Sequence, residues 1–179
     1  MRPCKLFIVK YFILIFMIIF FSCKREKGTD QPKQVKHTKE SLEEVNRLLV
    51  NKDTELINSY VERRGWEMKV TKSGLWYMIY EEGNGLLIKK GDYLTFNYDV
   101  WLLDGTLIYS SDELGPKSFT VGKGGVESGL EEGVLMLKKS SKARFILPPH
   151  LAHSLIGDEN KIPARAILVY DIEILNVEE

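Results

Sequence analysis

Side chains that could do chemistry are sparse in this sequence. Its three histidines are His37, His150 and His153, and its two cysteines, Cys4 and Cys23, both fall near the start of the chain. His150 and His153 are spaced to share a helical face, yet no neighbouring cysteine completes a recognisable ligand set. No serine with histidine and carboxylate, and no cysteine with histidine, stands in a context that marks a nucleophile and its base. No second motif brings two carboxylates together for acid–base work. We therefore expect neither a metal nor a cofactor, and no nucleophile.

The glycine-rich stretch Val121-Gly122-Lys123-Gly124-Gly125-Val126 suggests phosphate binding, and its spacing argues against it. No Gly-x-x-x-x-Gly-Lys-[Ser/Thr] is present, and Glu127 stands where a dinucleotide fingerprint needs its third glycine. The glycines better suit a tight turn that requires positive φ. That turn joins a short strand at Phe119 to a helix. Ser128 and Glu131 have the spacing of a capping box, and Leu130, Val134 and Leu137 form one apolar stripe behind it.

The elements around this helix are mostly strands. Leu75, Tyr77 and Ile79 alternate with Trp76, Met78 and Tyr80, and Leu94, Phe96, Tyr98 and Val100 alternate with polar neighbours. Asp104-Gly105 marks a hairpin turn leading to a short strand, Leu107 to Ser110, and the loop after it is expected over Glu113 to Lys117. Ala143, Phe145 and Leu147 form a strand that Pro148-Pro149 must end, because proline cannot donate to a ladder. His150 to Asn160 reads as a long loop, and Leu168, Tyr170, Ile172 and Ile174 as one face of a last strand. This pattern predicts an α+β fold, an antiparallel sheet curled around one short α-helix. An N-terminal helical segment, residues 40–65, precedes it: Leu42, Val45, Leu48 and Leu49 make one apolar face, Leu56, Ile57, Tyr60 and Val61 another. Gly65 after Arg63-Arg64 is its stop signal. Residues 66–179 make the folded domain. A concave sheet of this order places Tyr98, Tyr109, Phe119, Val126, Leu130, Ile162 and Tyr170 around its mouth.

With 25 basic and 25 acidic residues in 179, the chain lacks the basic excess that nucleic acid calls for. The start is different in kind. Arg2 and Lys5 precede an apolar run from Leu6 to Phe21, short for a membrane span of about 20 residues. Residues 1–22 thus have the form of an export signal. Ser22-Cys23 resembles a bacterial lipobox, which implies lipidation of Cys23. Two or more acyl chains there would hold the protein to a membrane, since one alone is marginal. Lys24 to Lys39, polar and without apolar period, is expected to be a disordered tether. The expected location is the cell envelope, lipid-anchored, facing the periplasm or the cell surface.

From Gly91 to Val177 the motifs occur in a specific order. They are Gly91-Asp92, Asp104-Gly105, Tyr109-Ser110-Ser111, Phe119-x-Val121-Gly122, Gly129-Leu130-Glu131-Glu132-Gly133, Phe145-Ile146-Leu147-Pro148-Pro149, Ile162-Pro163 and Leu168-Val169-Tyr170-Asp171. This order resembles the FKBP-type peptidyl-prolyl isomerases. The Cys23 context, Trp76-Tyr77 and Gly157-Asp158-Glu159-Asn160-Lys161-Ile162 further resemble FKBP-like lipoproteins associated with gliding motility in Bacteroidetes.

The resemblance implies rotation about Xaa-Pro bonds in exported proteins. It gives Tyr98, Tyr109, Ser110 and His153 catalytic roles, and makes Phe119, Val126, Glu127, Leu130, Ile162 and Tyr170 the substrate-binding residues. Several positions depart from the family pattern. Tyr109 and Tyr170 replace phenylalanines, and Ser110 replaces an aspartate. Lys117 replaces an aromatic, Glu127 an apolar residue and Leu130 a tryptophan. His153 stands for the tyrosine whose hydroxyl grips the substrate carbonyl, a role a ring N–H can also perform. These departures support an alternative reading, a weakly catalytic or non-catalytic binding module in an envelope or motility assembly.

Overall fold

The computed structural model describes residues 34–153 and 156–179, with side chains from Ser41 onward and at Lys39. The expected signal segment and Cys23 lie outside the described residues. The chain divides into two units, residues 1–42 and 43–179. Of the first, the described part is helical, and Leu42 on it is exposed.

The helix α1 spans Gln34–Arg64. It already includes residues 34–39, the end of the expected tether, ahead of the expected start at Glu40. Gly65, with φ of 64°, stops it as expected, its N–H bonding the Glu62 carbonyl. Only part of its predicted apolar surface is buried. Ile57, Tyr60 and Val61 pack with Trp76, Ile146, Ile167 and Val169, whereas Val45, Leu48 and Leu56 stay exposed.

Among the described residues nine strands follow: β1 Lys69–Val70, β2 Trp76–Glu81, β3 Asn84–Leu87, β4 Tyr93–Leu102, β5 Leu107–Ser110, β6 Lys117–Thr120, β7 Lys138–Lys139, β8 Lys142–Leu147 and β9 Leu168–Glu178. Two short helices, α2 Ser111–Leu114 and α3 Ser128–Val134, and a 3-10 turn at Pro149–Leu151 interrupt them. Seven strands form one sheet in the order β1-β2-β8-β9-β4-β5, with β6 also paired to β4. All of its pairings are antiparallel. β4 lies one strand in from an edge of the sheet, bonded to β9 along one side and to β6 and then β5 along the other.

Period-2 alternation sorts the side chains as expected. Leu94, Phe96, Val100, Phe145, Leu147, Leu168, Tyr170, Ile172 and Ile174 join one core, with Leu130, Val134 and Leu137 from α3 and the turn after it. The helix fits because two of its residues lack side chains. A Cβ on Gly133 would stand 2.7 Å from the Phe145 ring, and one on Gly129 would stand 2.7 Å from Leu147. On the other face of the sheet Trp76, Ile146 and Val169 lie in register across β2, β8 and β9, and α1 covers them.

The start of α3 differs from expectation. Its N-cap is Glu127, not Ser128, and no side chain caps it. Ser128 instead donates to the Leu151 carbonyl at 3.4 Å, and Glu131 accepts from the Gly124 N–H at 2.9 Å. Gly122, Gly124 and Gly125 do take positive φ in the turn before it, as the sequence required.

Candidate functional site: an aromatic cleft over β4

A cleft of about 280 Å³ opens at one end of the concave face. β4 supplies Phe96, Tyr98 and Val100, successive residues of one strand face. β5 adds Tyr109, α2 adds Leu114, β6 adds Lys117, and β9 adds Tyr170. Glu127 enters from the head of α3, and His153 and Asp158 from the loop after β8. The cleft is thus bordered by segments distant in sequence, brought together by the pairing of β4 with β5, β6 and β9.

Inside the cleft the polar atoms are unevenly committed. Glu127 has a side chain only 7% exposed. Its Oε1 accepts from the Tyr170 hydroxyl at 2.5 Å and from His153 Nε2 at 2.9 Å. Its Oε2 is buried with no partner among the described residues. Burial, followed by the charge of Glu127 and the hydrogen bond to it, holds the Tyr170 phenol well above its ordinary range. The Tyr98 phenol is raised by burial and then by Glu127. Its hydroxyl has no hydrogen bond among the described residues and remains a donor for a ligand.

A second polar group ties down the loop. The Tyr109 hydroxyl donates to Asp158 and accepts from Asn160 Nδ2 at 3.2 Å. Asp158 also accepts the N–H groups of Ile162 at 2.7 Å and Asn160 at 3.0 Å. Burial would push this carboxyl up, but the Tyr109 hydroxyl and those backbone donors outweigh it and hold it below the usual carboxylate range. Tyr109 therefore spends its hydroxyl on the loop.

Five of the residues expected at the site border the cleft: Tyr98, Tyr109, Glu127, His153 and Tyr170. The other five do not line it. Ser110 is buried, and its Oγ accepts the Asp112 N–H at 3.1 Å as the cap of α2. A short hydroxyl at that position serves the backbone rather than the cleft. Phe119 packs edge-on against Phe96 with ring centres 5.8 Å apart, supporting the cleft from beneath. Leu130 and Ile162 are buried in the core, and Val126 is half-buried against it. His153 is at the expected place, but its Nε2 faces Glu127 rather than a ligand. Sequence reasoning missed Asp158, whose signal was a turn-forming Gly157-Asp158-Glu159-Asn160 segment. It also missed Phe96, Val100 and Leu114 as walls.

A second hollow of about 380 Å³ lies between α1 and the β1–β2 turn, with Trp76, Pro148 and His150 on its walls. His150 bonds the Ser73 carbonyl there through Nε2. Among the described residues no group of three or more histidines, cysteines or carboxylates is placed to hold a metal ion.

A sheet wrapped around one short helix, with an aromatic cleft at its mouth, defines the FKBP class of domains. The family model for FKBP-type peptidyl-prolyl cis-trans isomerases matches residues 86–175, and the chain belongs to that family. Human peptidyl-prolyl cis-trans isomerase FKBP9 is 40% identical over 93 residues, covering 51% of this chain and 16% of that protein. A probable FKBP-type isomerase FkpA of Neisseria meningitidis is 37% identical over 111 residues, covering 62% of this chain and 40% of that one. The chain thus spans less than half the length of these relatives. Among solved structures, FkpA from Escherichia coli superimposes with a TM-score of 0.61 at 27% identity, over 94% of this chain and 82% of that one. AtFKBP13 gives 0.59 at 30% identity, over 62% of this chain and 98% of its own.

Proposed function

We propose that the protein is an envelope-anchored peptidyl-prolyl isomerase acting on Xaa-Pro segments of exported proteins. The observation that carries this reading is the apolar cleft with an uncommitted Tyr98 hydroxyl in a chain of this family. Rotation about an Xaa-Pro bond faces a barrier of about 18–20 kcal/mol, because resonance gives the C–N bond double-bond character. The planar, charge-separated resonance form is favoured by water. Leu114 and the half-buried rings of Tyr98 and Tyr109 offer the proline ring a surface that removes water, which favours the twisted bond. The Tyr98 hydroxyl would hold the carbonyl while the ring turns, with His153 beside it on the cleft wall. Each 1.4 kcal/mol of preferential stabilisation is worth a factor of about ten in rate.

The anchor rests on the sequence of residues 1–23, where an apolar run ends at Ser22-Cys23. Lipid on Cys23 would keep the domain at a membrane surface, where exported chains emerge. The resemblance to gliding-motility lipoproteins suggests a surface assembly as the setting. One observation favours the second reading, a binding module with little turnover: Glu127 brings a carboxylate into the cleft, where the family resemblance leads one to expect an apolar side chain.

The test is exchange NMR on an Xaa-Pro peptide with the domain and its Tyr98→Phe variant. Catalysed exchange is expected from the parent. Removing one donor typically costs about 1–3 kcal/mol, a drop of roughly five- to a hundred-fold in rate. Exchange at the uncatalysed rate, in a folded protein that still binds the peptide, would leave the binding module as the function.

A further inference from the structure

Neutral imidazole carries one proton for two nitrogens, and the atom that holds it decides what the ring can do. His153 Nε2 lies 2.9 Å from Glu127 Oε1. A carboxylate only accepts, so in the neutral ring the proton sits on Nε2 and is committed to Glu127. Nδ1, which has no hydrogen bond to the described residues, is then an acceptor. An acceptor cannot hold a substrate carbonyl. Only the imidazolium carries a second N–H, on Nδ1.

Glu127 is well placed to enforce this choice. Its side chain is 7% exposed, and the same Oε1 is held by the hydroxyl of buried Tyr170. Its Oε2 is buried and has no partner among the described residues, so His153 and Tyr170 are the donors this carboxylate has. We propose that Glu127 is a positioning residue: it commits the Nε2 proton of His153, so that the imidazolium and not the neutral ring receives the substrate carbonyl. Turnover then rises as His153 takes up a proton. The inference rests on reading the cleft as an isomerase site. The reaction itself transfers no proton and breaks no bond, so the ring keeps its charge throughout the rotation.

The other groups lining the cleft support this sign. Asp158, on the loop after β8, is a second carboxylate that interacts with His153 through charge. Lys117 on β6 opposes it, and its side chain is on an exposed residue. Tyr98 on β4, Tyr109 on β5 and Tyr170 on β9 all have phenol pKa values raised above the ordinary range, so they stay neutral where imidazole titrates, between about pH 5 and 8.

The test is the pH profile of kcat/KM for an Xaa-Pro peptide without titrating groups, measured by exchange NMR from pH 5 to 8.5. The parent should gain about tenfold or more on acidification through the imidazole range, as expected for acquiring a charge-assisted donor. His153→Tyr, whose hydroxyl donates at every pH in this window, should give a flat profile. Glu127→Gln, whose amide can donate as well as accept, no longer commits the Nε2 proton, so its profile should flatten toward that of His153→Tyr. Nitrogen-15 spectra of neutral His153 should show the proton on Nε2. A flat parent profile in the presence of catalysis, or a neutral ring protonated on Nδ1, would overturn the proposal while leaving the isomerase standing. Absence of catalysis at every pH would overturn both.

Discussion

Tyr170 shows how one side chain ties the cleft to the stability of the whole domain. It is 4% exposed on β9, with its hydroxyl on Glu127, and burial followed by that carboxylate keeps its proton on. Unfolded, a tyrosine loses its proton near pH 10. A phenol whose folded pKa is raised contributes stability fully present below that pH and lost as the pH climbs toward the folded value. Tyr98, raised by burial and Glu127, and Tyr80, raised by burial and Asp171, add to the same alkaline loss. We predict that the urea midpoint holds steady to about pH 9.5 and falls above about pH 10. Tyr170→Phe should soften that fall while costing about 1–3 kcal/mol at neutral pH, where Glu127 loses a donor. Denaturation at pH 8, 10 and 11 reads both effects, and an unchanged alkaline slope in the variant would refute the assignment. This residue was legible in the sequence as an inward-facing strand position. Its bond to Glu127 was not, because nothing in a strand's alternation says what meets the tip of the side chain.

At the scale of elements, α3 is decided by what it packs against rather than by its own propensity. Replacing glycine by alanine inside a helix ordinarily gains up to about 1 kcal/mol. At Gly133 the added carbon would stand 2.7 Å from the buried Phe145 ring, and overpacking of that kind costs about 1–3 kcal/mol. Gly133→Ala should therefore destabilise, and Leu130→Ala should do so by about 2–5 kcal/mol through the cavity it leaves. Equilibrium urea unfolding separates the outcomes, and a higher midpoint for Gly133→Ala would mean the helix is not seated on β8 as described. The stripe Leu130, Val134 and Leu137 announced this helix, and the strands declared themselves by their period. The capping box did not form although its spacing was present. Glu127 is held by Tyr170 and His153, both distant in sequence, and this sets the helix start one residue earlier. In α1 the periodicity revealed two apolar faces but could not say that only Ile57, Tyr60 and Val61 would find the back of the sheet.

For the molecule as a whole, the anchor prediction concerns Cys23. Fatty-acid labelling should follow Cys23 and ignore Cys4, and Cys23→Ala should leave the protein unlabelled and in the soluble or precursor fraction. Equal labelling of that variant would remove the lipoprotein reading. The order of the strands has a different consequence, one of timing. β4 borders the cleft and pairs along its length with β9, from Tyr93 opposite Glu178 to Leu102 opposite Leu168. β9 also pairs with β8, so it joins β1, β2 and β8 to the β4 side of the sheet. Contacts so far apart along the chain repay their loop-closure entropy only late, and domains built on them fold slowly. As the chain is synthesised, β4, β5 and α3 emerge before the strand that completes their sheet. The cleft cannot exist until β9 has been made and has paired along β4.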